Sequence, residues 1–120
     1  MEVHDFAILG GLSAVHQFCR IGCHCMITGG SMIGKDVAPF TIAVAHGDRT
    51  KPVAINLVGL KRRGFSDETI RDLKLAFRIF FRSGLTVAAA LERIRNEIPG
   101  TPQIKKFLEF FESSDRGFLR

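Results

Sequence analysis

Aliphatic side chains recur at every sixth position through the first part of the chain: Val3, Leu9, Val15, Ile21, Ile27 and Ile33. Two places before each stands a mostly small residue (Met1, Ala7, Ser13, Cys19, Cys25, Ser31), and the place after reads His4, Gly10, His16, Gly22, Thr28, Gly34. A period of six fits neither a helix at 3.6 nor an alternating strand. It fits a parallel β-helix, in which short strands and turns wind round a three-sided core. Three hexads make one coil of about 18 residues, so Val3 is expected to stack on Ile21, Leu9 on Ile27 and Val15 on Ile33. Gly22 and Gly34 are expected to supply turn geometry that a Cβ resists. Such arrays need about three units and capped ends, so a pattern of about two coils predicts the C-terminal part of a longer solenoid.

After Lys35 the hexads fade. Pro39, Pro52 and the polar stretch HGDRTK (46–51) predict a connecting segment over 41–52 with one strand near FTIAVA (40–45). From 53 onward the periodicity is helical. A short helix is expected over 53–62, closed by Gly64. Ser66, followed by Asp67 and Glu68, caps the next, with Ile70, Leu73, Phe77, Phe80 and Phe81 on its apolar face and Gly84 at its end. Thr86 opens a third, with Val87, Leu91, Ile94 and Ile98 inward, and Thr101-Pro102 a fourth, with Ile104, Phe107, Leu108 and Phe111 inward. The predicted fold class is a β-solenoid plus α: a short parallel β-helix over 1–40, the connection over 41–52, and a small helical domain over 53–120.

Composition narrows the function classes. At 46% hydrophobic and 24% charged, the 120 residues suit one folded domain. No stretch approaches the roughly 20 apolar residues of a membrane span, and the N-terminus lacks the basic leader of a secretion signal. The net charge of +5 lies wholly in residues 61–120, which carry 13 cations against 8 anions. No recognition helix, zinc finger or aromatic-basic motif accompanies that charge, so nucleic acid is not an expected partner. Cys19, Cys23 and Cys25 form one cluster where zinc sites usually use two knuckles, so reduced packing thiols are preferred over a metal site. Cys19 and Cys25 fall in the inward register and Cys23 is expected to point out of the column.

The segments AVHQFCRIG (14–22) and NLVGLKRRGF (56–65), the hexads around the first and the helices after the second, resemble the C-terminal half of the acyl-carrier-protein–UDP-N-acetylglucosamine O-acyltransferases. The hexads alone are shared by many acyl- and acetyltransferases; the combination is more specific. The resemblance implies a left-handed parallel β-helix, an exception to the right-handed crossover rule. It also implies a homotrimer with sites between subunits, UDP-N-acetylglucosamine and acyl carrier protein as partners, a cytoplasmic location and no cofactor. The implied reaction moves a 3-hydroxyacyl group onto the glucosamine 3-hydroxyl, the first step of lipid A synthesis. A His acts as base and a backbone N–H stabilises the oxyanion.

None of the four His fits the family's base motif, so the base is expected upstream of residue 1 and no catalytic residue or metal ligand is assigned. By the same resemblance His16 and Gln17 line the substrate site. Asn56, Arg62 and Arg63 bind the nucleotide portion from the adjacent subunit, where planar, permanently charged guanidinium groups suit a diphosphate. Gly11, Met26 and Gly29 lie at the acyl-chain groove. The sequence departs from the family at Val58, where some members carry an acidic contact. Without the resemblance, His16 and Gln17 read as polar residues on a solenoid wall, and Arg62-Arg63 as a solvated helix end favoured by the dipole. His24 and His46 read as surface or loop. The alternative function is a non-catalytic module that trimerises or binds nucleotide sugar or carrier protein.

Overall fold

The computed structural model describes all residues except 1, 12, 47, 48, 115 and 116, and the backbone alone of His46. The first part is made of two-residue strands: β1 (Glu2–Val3), β2 (Ile8–Leu9), β3 (Ala14–Val15), β4 (Arg20–Ile21), β5 (Met26–Ile27) and β6 (Met32–Ile33). They pair in parallel, β1 with β4, β2 with β5 and β3 with β6. The register puts Val3 on Ile21, Leu9 on Ile27 and Val15 on Ile33, as the hexads predict. Ile21, Ile27 and Ile33 are buried with Cys25, Val37 and Ala43 in one core cluster. The coarse expectation, short parallel strands followed by helices, is what the chain adopts.

The stack continues past the point where the hexads fade. Val37 bridges Ile21 in parallel, and Ala43, on β7 (Thr41–His46), pairs with Ile27. Val37 and Ala43 are themselves six apart, but Val37 is only four positions after Ile33, and that slip hides the layer from a strict period. A second long strand, β8 (Arg49–Ile55), runs antiparallel to β7. The expected 46–51 loop is therefore largely strand; residues 47 and 48 lie outside the described residues. Pro52, which cannot donate to the ladder, pairs with Ala43 beside a register shift, as edge-strand prolines do. The helix expected from residue 53 begins at 57 because 53–55 are consumed by this ladder.

Left-handed backbone sits elsewhere than expected. Among the described residues of the rungs the positive-φ corners are Phe6, Phe18, His24, Gly30 and Phe40. Gly22 is needed for clearance instead: a Cβ there would lie 2.4 Å from the Pro39 nitrogen.

Four helices follow: α1 (Leu57–Arg62), α2 (Asp67–Arg82), α3 (Val87–Glu97) and α4 (Pro102–Glu112). Ser66, Thr86 and Thr101 each accept an N–H from the residue three places on, which satisfies donors the helix cannot. Ile70, Leu73, Phe77 and Phe80 of α2, Leu91 and Ile94 of α3, and Ile104, Phe107 and Phe111 of α4 form the second core. Cys23, Ala38 and Phe40 from the rungs belong to the same cluster. Cys23 does leave the column, as its register predicts, yet it is 5% exposed because the helical core covers that corner.

One buried carboxylate fastens the two parts. Asp36, 1% exposed, accepts from the Arg20 backbone N–H at 2.8 Å, from Arg20 Nε at 3.0 Å and from the Ser114 hydroxyl at 2.8 Å. Arg20 in turn donates to Ser113 Oγ and to the Phe110 carbonyl, each at 3.0 Å, and its guanidinium lies 4.4 Å from the Phe110 ring centroid.

Candidate functional site

The basic segment begins at Asn56, whose side chain makes two local bonds. Its Oδ1 accepts from the Gly59 N–H at 3.3 Å, capping α1, while Nδ2 donates to the His24 carbonyl at 3.0 Å. Its backbone N–H donates to the Phe40 carbonyl at 2.8 Å. Asn56 is thus 4% exposed and ties α1 to the rung corner at His24. Gly59 makes room for it: a Cβ there would come within 2.4 Å of Nδ2. Arg62 and Arg63 close this short helix, and Gly64, at φ +79°, turns the chain away. The Arg62 side chain is exposed and makes no hydrogen bond or ion pair among the described residues. The Arg63 guanidinium sits 4.0 Å from the Phe6 ring centroid.

Behind that ring lies an aromatic column. Phe6 stacks on His24 with centroids 4.9 Å apart, and His24 on Phe40 at 5.8 Å; Phe65 meets the His24 ring edge-on at 4.9 Å. His24, expected at the surface, is half-buried in this column. Burial, with Lys106 and Arg63 nearby, holds its pKa below the usual imidazole value against the opposing pull of Asp5. A cavity of about 150 Å³ beside it is lined by Cys23, Phe65, Gln103 and Lys106 among others. Phe6 and His24 are one coil of 18 residues apart, so the hexad register brings them together, but Phe40 lies 16 residues beyond His24 and Phe65 25 beyond Phe40, spacings that no period in the sequence predicts.

The other predicted residues fall in two further places. Gly11 and Gly29 come together: the Gly30 N–H donates to the Gly11 carbonyl at 2.9 Å, and a Cβ on Gly29 would stand 3.0 Å from that oxygen. Met26, 37% exposed, pairs with Ile8 and Ile42 in neighbouring strands. His16 and Gln17 are exposed at the corner after β3, where His16 Nδ1 lies 3.0 Å from the Gln17 carbonyl. Among the described residues no hydrogen bond, ion pair or ring contact joins either of them to the basic helix. A groove of about 470 Å³ between the first rungs and α4, lined by His4, Asp5, Arg20, Lys106 and Phe110 among others, contains none of the predicted site residues.

The cysteines pack. Cys19, Cys23 and Cys25 form no disulfide and are buried, and burial pushes the Cys25 thiol up to about 12. Among the described residues no three His, Cys, Asp or Glu gather as a metal site would need, and no helix is long and apolar enough to cross a membrane.

Residues 36–119 match the family described as UDP N-acetylglucosamine O-acyltransferase, domain 2. The whole chain is 45% identical to 46% of the acyl-[acyl-carrier-protein]–UDP-N-acetylglucosamine O-acyltransferase of Myxococcus xanthus, and 43% identical to 45% of that of Aliivibrio salmonicida. It superposes on a UDP-N-acetylglucosamine acyltransferase from Bacteroides fragilis with a TM-score of 0.94 and 39% identity, over 98% of this chain and 46% of that one. The chain spans a little under half the length of the relatives it matches. The capped basic helix, the rungs in 18-residue register and these matches together make the chain a member of the UDP-N-acetylglucosamine O-acyltransferase family, corresponding to its C-terminal half.

Proposed function

We propose that this chain forms the C-terminal part of an acyltransferase that moves a 3-hydroxyacyl group from acyl carrier protein to the 3-hydroxyl of UDP-N-acetylglucosamine. The observation that carries the reading is the basic helix fastened to the rung corner through Asn56, with Arg62 uncommitted and Arg63 flanking it. Two adjacent guanidinium groups on a fixed support suit a diphosphate, which planar donors meet in pairs. Asn56 has one amide hydrogen left for a ligand after its two local bonds. His16 and Gln17 line the sugar site, and Gly11, Met26 and Gly29 the acyl groove, where the missing Cβ atoms let backbone and chain approach.

In this reading the strands form a left-handed solenoid of about two coils over 1–40, joined through 41–52 to a helical domain over 53–120. Three chains assemble so that one subunit's basic helix faces its neighbour's site. The sugar hydroxyl attacks the thioester carbonyl while its proton passes to an imidazole lying outside these residues. A backbone N–H steadies the oxyanion, and collapse expels the carrier thiolate. The positive excess of residues 61–120 suits an acidic carrier protein. The enzyme works in the cytoplasm at the start of lipid A synthesis.

Two measurements test this. The isolated 120-residue chain is expected to give no turnover with acyl carrier protein thioester and UDP-N-acetylglucosamine; robust turnover means the base has been misplaced. Calorimetry is expected to show binding of the nucleotide sugar that is lost in the Arg62→Ala, Arg63→Ala double variant. Binding that survives the double variant removes the basic helix from the site. In the Myxococcus xanthus enzyme, changing the residues aligned with Arg62 and Arg63 to alanine should lower activity; unchanged activity there, with nucleotide-sugar binding by the wild-type chain here, leaves a non-catalytic module as the better account.

A further inference from the structure

Three of the left-handed corner residues are the members of one ring column: Phe6 at φ +61°, His24 at +55° and Phe40 at +68°. A bulky residue at positive φ is an outlier. Glycine takes the conformation freely, and Gly30 does so at another corner with φ +76°. The side chains at 6, 24 and 40 therefore stand where the backbone favours having none, and contacts must offset the strain. For His24 and Phe40 burial offers such a contact, since Phe40 is 2% exposed and His24 half-buried. Phe6 is 51% exposed and gains little from burial. What it does carry is the Arg63 guanidinium, 4.0 Å from its ring centroid. Arg63 has no side-chain hydrogen bond or ion pair among the described residues; what it has there is the Phe6 ring and a like-signed electrostatic influence on His24 behind it.

We infer that Phe6 is a positioning residue for Arg63: its ring, stacked on His24, holds the guanidinium over the rung corner and leaves the N–H donors free for an anionic ligand. A face contact draws on the charge of the guanidinium and uses none of its five N–H groups. A hydrogen-bonded carboxylate would fix Arg63 equally well, but it would neutralise the charge and occupy the donors that a phosphate needs. The column beneath is suited to this. Burial, together with the charges of Lys106 and Arg63, outweighs the opposing pull of Asp5 and favours the neutral imidazole, which stacks on Phe6 without adding a third positive charge. The functional half of this inference rests on the reading of Arg63 as a diphosphate contact; the positioning half does not.

The test uses the full chain with Phe6→Gly, Phe6→Leu and Phe6→Trp. The first readout is the Arg63 side-chain Nε–H resonance, which a ring face 4.0 Å away shifts upfield. The shift is expected to vanish in the Gly and Leu variants and persist in Trp. The second is calorimetric affinity for uridine diphosphate, expected to fall about two- to fivefold in Gly and Leu and to be held or improved in Trp, whose face attracts cations best. Phe6→Gly is expected to keep the wild-type Tm because it relieves the corner. Should that variant not fold, Phe6→Leu carries the same two readouts. An unchanged Arg63 resonance in Phe6→Leu overturns the inference. A lost shift with unchanged affinity overturns its functional half. Failure of the wild-type chain to bind uridine diphosphate at all counts against the nucleotide reading and the functional half together, while the resonance still decides whether Phe6 carries Arg63.

Discussion

Replacing Asp36 by Ala probes the fastening between rungs and helices. The substitution removes a carboxylate that is 1% exposed and three hydrogen bonds to it, and strands the Arg20 guanidinium, whose side chain is 20% exposed. Breaking a buried ion pair from one side costs about 3–5 kcal/mol. Arg20 keeps its bonds to Ser113 and Phe110 and reaches some solvent, so the lower end applies, about 3 kcal/mol. A 120-residue domain has roughly 6–18 kcal/mol in all, so the loss is large but survivable. With a urea m-value of about 1–3 kcal/mol/M, the unfolding midpoint should fall by about 1–3 M. The double change Arg20→Met, Asp36→Leu removes both charges and should recover most of the loss, since an apolar pair of similar volume often matches a buried ion pair. A single-variant loss below about 1 kcal/mol, or a double variant no better than the single, refutes the view that Asp36 secures the two parts.

Three further outcomes follow from the geometry. Gly59→Ala drives a Cβ to within 2.4 Å of the Asn56 amide, so it should displace the cap and its bond to His24 and cost about 1–3 kcal/mol, read as a lowered Tm. The His24 pKa is depressed by burial, Lys106 and Arg63. Its contribution to stability is therefore fully present above the unfolded value near 6.5 and is lost as pH falls through the lower folded value; His24→Gln loses the ring contacts at every pH but should flatten the pH dependence of stability just below pH 6.5 while leaving the slope at pH 8 unchanged. With its thiol pushed to about 12 and buried, Cys25 should resist iodoacetamide at pH 8 until urea unfolds the chain, and rapid native labelling at that position would contradict its packing.

The rung register was readable because a stacked column repeats its inward side chain at a fixed interval, and six aliphatics in phase leave few other folds open. Helix starts were equally plain, since Ser66, Thr86 and Thr101 have the hydroxyl that a first turn needs. Other features had no local signature. The layer at Val37 and Ala43 is displaced by two residues, so a strict period misses it. Strand β8 carries Arg49, Lys51 and a proline, and is fixed by its partner β7 rather than by its own propensity. Arg20 and Asp36 look like ordinary surface charges until residues 110–114 close over them. Around the candidate site, the basic run at 61–63 stood out in the chain, but its supports, the Asn56 cap and the Phe6 ring, depend on contacts reaching across 32 and 57 positions.

Asp36 also takes part through its main chain. Its N–H donates to the Gly117 carbonyl and its carbonyl accepts the Leu119 N–H, both within 2.9 Å. Strand rungs and the segment after the last helix are thus joined at a single amino acid, and Arg20 carries the connection on to the last helix. Amide exchange in Ile21 and in Phe107 should therefore report one shared opening event, with neither half melting ahead of the other.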